Sequence, residues 1–294
     1  MRRFLLGSMC CAAPAFGQAV LPVPGGPMPV LFGQRVPGAD RELVSALRDE
    51  RAPLQERIVA AIALRGWAHG VPDAAAALRE TLADSREPDA LRRECAKSLA
   101  WGLQSESASL LEIAEGRHGS SEQLRAIAFK SMFRMTGVSA VRDALEYCLS
   151  GRSCGSAALR GAAAWAGFKG AGGAQLRAAL LGAARDRGED ESLRSEALKS
   201  LFGQMGSAEG LELALGLAED RALATELRET AVLSLISRRG QDRVRRALEA
   251  LKSEPELRVA AMQALYGSID GSIAERFHLD YWPPNYARDP LASE

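Results

Sequence analysis

Apolar residues recur along this chain in blocks with helical spacing, and six of the blocks open on the same dipeptide. Leu91-Arg92, Leu124-Arg125, Leu159-Arg160, Leu193-Arg194, Leu227-Arg228 and Leu257-Arg258 follow one another at intervals of 33, 35, 34, 34 and 30 residues. With the Leu as position zero and a helix turning about 100° per residue, positions 0, 4, 8, 1 and 5 form one continuous stripe. Position 4 is small: Cys95, Ala128, Ala163, Ala197, Ala231 and Ala261. Position 8 is mostly large: Leu99, Met132, Gly167, Leu201, Leu235 and Leu265. The small side chain lets neighbouring helices approach, and the larger one fills the space beyond it. An earlier, degenerate block is placed with Leu54, Ile58 and Ile62 at the same three positions.

Between these blocks runs a second set with helical spacing: 43–47, 78–82, 110–114, 141–149, 176–184, 211–218 and 244–251. Each unit is therefore a pair of helices. Turn and capping residues separate them, among them Gly137-Val138-Ser139, Gly170 to Gly173, Gly206-Ser207 and Gly240-Gln241-Asp242. Gly170 to Gly173 reads as a connection, because neither a preceding strand nor a following Lys-Ser or Lys-Thr makes it a phosphate loop. A unit this short cannot bury its own apolar stripe and must stack on the next. The expectation is an all-α, right-handed α-α superhelix of about seven two-helix units.

The second helix, written Leu193-Arg194-Ser195-Glu196-Ala197-Leu198-Lys199-Ser200-Leu201 and echoed from Leu257 to Leu265, resembles the HEAT-repeat family, in particular the short bacterial units of phycobilisome-lyase type. The resemblance covers roughly residues 39–275, and it speaks to fold far more than to function. Tetratricopeptide repeats share the period, but their Trp-Leu-Gly-Tyr signature is missing and the interval here drifts. Arg at position 1 falls inside the apolar stripe, where its stem can lie on the core and its guanidinium can reach carboxylates or free carbonyls at the seam between units. Asp84, Asp186 and Asp220 stand eight residues before Arg92, Arg194 and Arg228. Together with Arg125, Arg160 and Arg258 they look like the Asp and Arg ladder of HEAT proteins, with a wider spacing. These residues are expected to be structural.

Positions 6 and 10 lie opposite the stripe. In HEAT-like arrays the second helices line the concave side, so these positions would face the groove. The chain has five lysines, and four of them fall here: Lys97, Lys130 and Lys199 at position 6 and Lys169 at position 10. Arg134 and Trp101 also take position 10, and Trp165 takes position 6 between two lysines. These seven residues are the candidate binding strip, basic and partly aromatic, for an acidic peptide or protein. The alternative is a solvated helix face that needed charge. At position 9, Phe133, Phe168, Phe202 and Tyr266 are expected to close the seams between units.

Composition narrows the picture. Of 294 residues 47% are hydrophobic and 5% aromatic, which favours a helical core of Ala and Leu. Lys plus Arg and Asp plus Glu are 37 each, so no overall field draws the chain to nucleic acid. Arg2 and Arg3, the apolar run 4–16 and Ala15-Phe16-Gly17 read as an export signal cleaved near Gly17, leaving a periplasmic or secreted protein without a membrane span. An apolar tail on a cytosolic protein is the other reading. Export would remove Cys10 and Cys11 and leave Cys95 as a small core residue, with Cys148 and Cys154 either closing a small disulfide or buried as thiols. Residues 18–38, rich in Pro and Gly, are expected to be a flexible lead-in. Residues 276–294, with Phe277, Tyr281, Trp282 and Pro283-Pro284, are expected to be a cap over the last unit or a docking tail.

Catalysis finds little support. His69, His118 and His278 stand far apart, and none precedes a Glu as the His-Glu pairs of a HEAT-type iron hydroxylase would require. No Gly-x-Ser-x-Gly elbow occurs. The expectation is a non-catalytic interaction scaffold of the envelope or periplasm, with no cofactor or metal. A lyase or isomerase acting on a bound chromophore, implied by the family resemblance alone, and a structural assembly element are the alternatives.

Overall fold

The structure, a computed structural model, describes residues 38–277 apart from 66, 69, 134, 152–153, 169–172, 203–204, 269–272 and 274–275. The export segment, the lead-in up to residue 37, tail residues 278–294, Arg134 and Lys169 therefore lie outside the described residues.

Fourteen α-helices and no strand occur among the described residues, and they form seven consecutive pairs. The first helices of the pairs are α1 (Ala39–Arg48), α3 (Pro72–Ala83), α5 (Ser107–Ala114), α7 (Ser139–Ser150), α9 (Ala174–Arg185), α11 (Ala208–Glu219) and α13 (Asp242–Leu251). The second helices are α2 (Leu54–Leu64), α4 (Asp89–Leu99), α6 (Glu122–Ser131), α8 (Ala157–Ala166), α10 (Glu191–Ser200), α12 (Thr225–Ser234) and α14 (Arg258–Tyr266). The chain is an α solenoid.

Short helices need defined ends, and the sequence supplies them. Ser121, Ser156, Asp190 and Ser207 accept hydrogen bonds from the N–H groups of Leu124, Leu159, Ser192 and Gly210, capping α6, α8, α10 and α11. Pro72 occupies the first turn of α3, where its missing N–H costs nothing. The stripe then packs as expected: Leu91, Leu124, Leu159 and Leu193 at position 0 and Cys95, Ala128, Ala163 and Ala197 at position 4 are all fully buried.

At each of the six junctions between units, second helix meets second helix more extensively than first meets first. The second helices therefore form the inner, more tightly packed layer. A column of small residues at position 7 allows it. Ser98 and Ser200 are buried there and donate their hydroxyls across a junction to the carbonyls of Ala61 (2.8 Å) and Ala164 (2.6 Å).

The arginines at position 1 tie each unit to itself and, at Arg92, Arg125, Arg160 and Arg228, to the next. Within the unit, Nε donates to a carbonyl in the last turn of the first helix: Arg92 to Leu82 (2.9 Å), Arg125 to Ala114 (3.0 Å), Arg194 to Ala184 (3.2 Å) and Arg228 to Ala218 (3.1 Å). Arg160 reaches both Cys148 (3.3 Å) and Leu149 (3.0 Å). Such carbonyls have no partner inside their own helix. The other end of the guanidinium crosses the seam to the turn of the following unit, from Arg92 to the His118 carbonyl (2.9 Å), from Arg125 to the Cys154 carbonyl (3.2 Å), from Arg160 to Glu189 and from Arg228 to Glu254 (2.6 Å). Arg258 bonds only weakly to the Lys252 carbonyl (3.3 Å) and is exposed, since among the described residues no unit follows it.

Two expectations are corrected here. The first unit is registered on Arg57, whose Nε donates to the Leu47 carbonyl at 2.9 Å and whose terminal nitrogens meet Glu87 at 2.7 and 2.5 Å. Ala60 and Leu64 thus fill positions 4 and 8, while Leu54 and Ile62 are exposed and Ile58 is half-buried. A buried guanidinium with two sets of partners outweighs the apolar match of Leu54, Ile58 and Ile62. Second, Asp84, Asp186 and Asp220 are not the partners of Arg92, Arg194 and Arg228. Each ends a first helix in an extended conformation and folds its carboxylate onto the N–H two residues ahead, at Arg86 (2.9 Å), Gly188 (2.8 Å) and Ala222 (3.1 Å). Asp84 also pairs with Arg86 at 2.7 Å, and hydrogen bonds from that residue hold its carboxyl at about 2. Asp220 takes Arg187 of the preceding unit at 2.6 Å.

Cys148 and Cys154 are joined by a disulfide across the turn between α7 and α8. The bond fixes the backbone whose carbonyls receive Arg160 from the same unit and Arg125 from the one before. Gly155 follows with φ of +121°, which a residue with a Cβ rarely adopts. Cys95 is buried within α4, and burial pushes its thiol well above the ordinary range. It should resist iodoacetamide in the folded protein and react in urea; labelling at equal rates in both would mean that the position-4 column is open.

Arg228→Ala leaves the Ala218 carbonyl without its donor and the Glu254 carboxylate with Arg221 as its remaining close partner, and should cost about 1–3 kcal/mol in urea unfolding at neutral pH. The Arg228 hydrogen bond is the main reason that Glu254 titrates below its ordinary 4.5. Its contribution is complete above that value and lost as pH falls through the depressed one, so the gap between variant and parent should narrow only below 4.5.

Candidate binding face

The strip drawn from positions 6 and 10 is placed on the inner layer, one residue from each of four successive second helices. Lys97 lies on α4, Lys130 on α6, Trp165 on α8 and Lys199 on α10. Trp101 is in the 3-10 turn after α4, and its side chain is not among those described.

The face is less open and less basic than the sequence suggested. Lys97 is only 6% exposed and its ammonium meets Glu94 at 2.9 Å, with Arg65 approaching the same carboxylate at 3.6 Å. Lys199 meets Glu196 at 2.6 Å. Both pairs join position 3 to position 6, neighbouring points on one helix face, so each lysine carries its counter-charge with it. Lys130 is half-buried near the end of α6. The uniformly basic strip is therefore corrected to alternating charge. Glu94 and Glu196 sit three residues before their lysines and were visible in the sequence; counting cations alone passed over them.

Trp165 is 4% exposed and packs at 5.4 Å from the Phe133 ring, with the planes tilted by 56°. It packs in the seam between units, since Phe133 follows the second helix of the preceding one. Position 9 behaves as expected in the interior, where Phe168 and Phe202 are buried, but Tyr266 at the end of the array is 64% exposed and its hydroxyl donates to Glu249 at 2.8 Å.

The described start of the tail returns to this same layer. Phe277 is fully buried against Phe202, ring centroids 4.3 Å apart, and Arg276 meets Glu229 of α12 at 3.1 Å. Val259, Met262 and Tyr266 of α14 are exposed. Nothing in the repeat pattern predicted that Phe202 would be the acceptor, because Phe277 lies beyond the last repeat.

Among the described residues no three His, Cys, Asp or Glu side chains gather as metal ligands would, and no helix is long and apolar enough to cross a membrane. His118 sits in a turn at φ of +59° with Nε2 at 3.1 Å from Glu112.

No protein-family model matches the chain, and no curated protein matches it. Among solved structures it resembles human deoxyhypusine hydroxylase in complex with glycerol, at 17% identity and a TM-score of 0.36, over 77% of this chain and 94% of that one. It also resembles a designed armadillo repeat protein, at 17% identity and a TM-score of 0.31, over 77% and 98% of the two chains. Likenesses of this size concern helical-repeat architecture. The first of them overturns the expectation that the chain is no enzyme, because a protein titled as a hydroxylase is among the structures it resembles. At 17% identity that likeness assigns no activity.

Trp165→Ala should cost about 3–5 kcal/mol in urea unfolding, as removal of a buried ring does. A loss under about 1 kcal/mol would place the ring on the surface, as an anchor available to a ligand.

Proposed function

We propose that this chain is an interaction scaffold whose inner layer of second helices receives a segment of another protein. The observation that carries the reading is the row Lys97, Lys130, Trp165 and Lys199, one side chain from each of four adjacent helices, with Glu94 and Glu196 paired to its outer lysines. A partner bearing carboxylates would take the lysines from Glu94 and Glu196 in an exchange of ion pairs. Such an exchange gives selectivity more than strength, since the lysines are satisfied before the partner arrives.

We place the scaffold outside the cytosol, in the periplasm or secreted after cleavage near Gly17. The N-terminal pattern and the disulfide between Cys148 and Cys154 support that compartment, because such bonds persist where conditions are oxidising.

The test uses a fluorescein-labelled oligo-glutamate peptide and fluorescence anisotropy. Lys130→Glu with Lys199→Glu should abolish binding and leave the helical circular dichroism intact. Glu94→Gln with Glu196→Gln, which frees the lysines, should tighten it by roughly two- to fivefold per pair. Binding that ignores both double variants would remove this face from consideration.

A further inference from the structure

Large apolar side chains in contact with water are concentrated at the two ends of the array. Among the described residues seven are exposed, and six of them lie on the first and last second helices: Leu54, Val59 and Ile62 on α2, and Val259, Met262 and Tyr266 on α14. The seventh is Tyr147. A solenoid that remains a monomer needs polar outer faces on its terminal units, because no neighbour covers them. Here both terminal units carry apolar side chains instead.

The positions they take are those that meet inside the array. At three internal junctions, positions 5 and 9 of one second helix meet positions 3, 6 and 7 of the next. Ser98 and Ser200 at position 7 donate to the carbonyls of Ala61 and Ala164 at position 5. Arg65 at position 9 approaches Glu94 at position 3 (3.6 Å), and Phe133 at position 9 packs on Trp165 at position 6. Counted in the same way, Met262 and Tyr266 are positions 5 and 9 of α14. In the register set by Arg57, Val59 and Ile62 are positions 3 and 6 of α2, with the small Ala63 at position 7. The C-terminal end therefore carries one half of a junction and the N-terminal end the other half. Charge follows the same division. Arg258, the position-1 arginine of the last unit, is exposed. Glu50 is exposed in the turn before α2, six residues ahead of position 0, as His118, whose carbonyl receives Arg92, stands six ahead of Leu124.

We propose that the two ends are complementary and that copies of this chain associate head to tail, α14 of one against α2 of the next, continuing the array across the contact. Met262 and Tyr266 of one copy pack on Val59, Ile62 and Ala63 of the other, and Arg258 crosses to the turn that holds Glu50. The contact is heterologous, so a pair of copies still offers one end of each kind. This goes beyond the scaffold reading. The lysine row lies on α4 to α10 and takes no part, so either reading can fail alone.

The test is sedimentation velocity on the purified protein from about 1 μM to about 1 mM. Its average mass should rise with concentration. Val59→Glu with Ile62→Glu blocks one end, and Val259→Glu with Met262→Glu blocks the other; all four side chains are exposed, so both variants should keep the helical circular dichroism of the parent. Each variant alone should stay monomeric across the range. Mixed, they should form a one-to-one complex and go no further, because each supplies the end that the other lacks. A parent that is monomeric throughout overturns the proposal. So does self-association of either blocked variant, which would mean that like ends pair, and so does a mixture that forms no complex.

Discussion

The array depends on an arginine repeated once per unit, its guanidinium buried at Arg57, Arg92, Arg160, Arg194 and Arg228. A helix of ten or so residues ends with carbonyls that have no partner of their own, and here those ends are enclosed by the next unit, where water cannot serve them. Arginine solves this because its planar fork donates in two directions at once. Nε caps the first helix of its own unit, and at Arg57, Arg92, Arg125, Arg160 and Arg228 the terminal nitrogens cross to the turn of the next. The acceptor there varies between a carboxylate, as at Glu189 and Glu254, and a backbone carbonyl, as at His118 and Cys154. Where the acceptor is the Cys154 carbonyl, the disulfide to Cys148 steadies the turn that presents it.

That arrangement fixes the spacing of first helix, second helix and following turn, and the inner layer follows from it. Second helices are drawn together closely enough for the serines at position 7 to bond across junctions. Close approach has a cost for recognition: Lys97 and Trp165, expected to stand in the groove, are largely enclosed by it. The charge on that layer is already matched within the helix, as Glu94 with Lys97 and Glu196 with Lys199.

Most of the fold was legible because two periods coincide in the sequence. The helical period marks the stripe, and the longer period marks where the stripe begins again. The first unit shows the limit of that method. Leu54, Ile58 and Ile62 match the apolar template better than Glu56, Ala60 and Leu64, yet the chain takes the register of Arg57. Apolar similarity is graded, and a residue shifted by two still finds some contact; a buried guanidinium that misses its acceptors has no substitute. The aspartates went astray for a related reason. Asp84, Asp186 and Asp220 keep a constant distance from an arginine because both mark the same turn, and a carboxylate bonds the nearest free N–H first.

The amino-acid sequence by itself determined the all-helical class, the number of units, the stripe that joins them and the arginines that lock them, since each is set by spacing along a helix and needs no distant residue. Tertiary structure alone decided which side chains stay accessible on the inner layer, which acceptor each arginine finds across its seam, and where Phe277 comes to rest. Those are matters of how closely one helix approaches another. Exposure and long-range partnership depend on the sum of many packing contacts, and no local pattern in the chain records that sum.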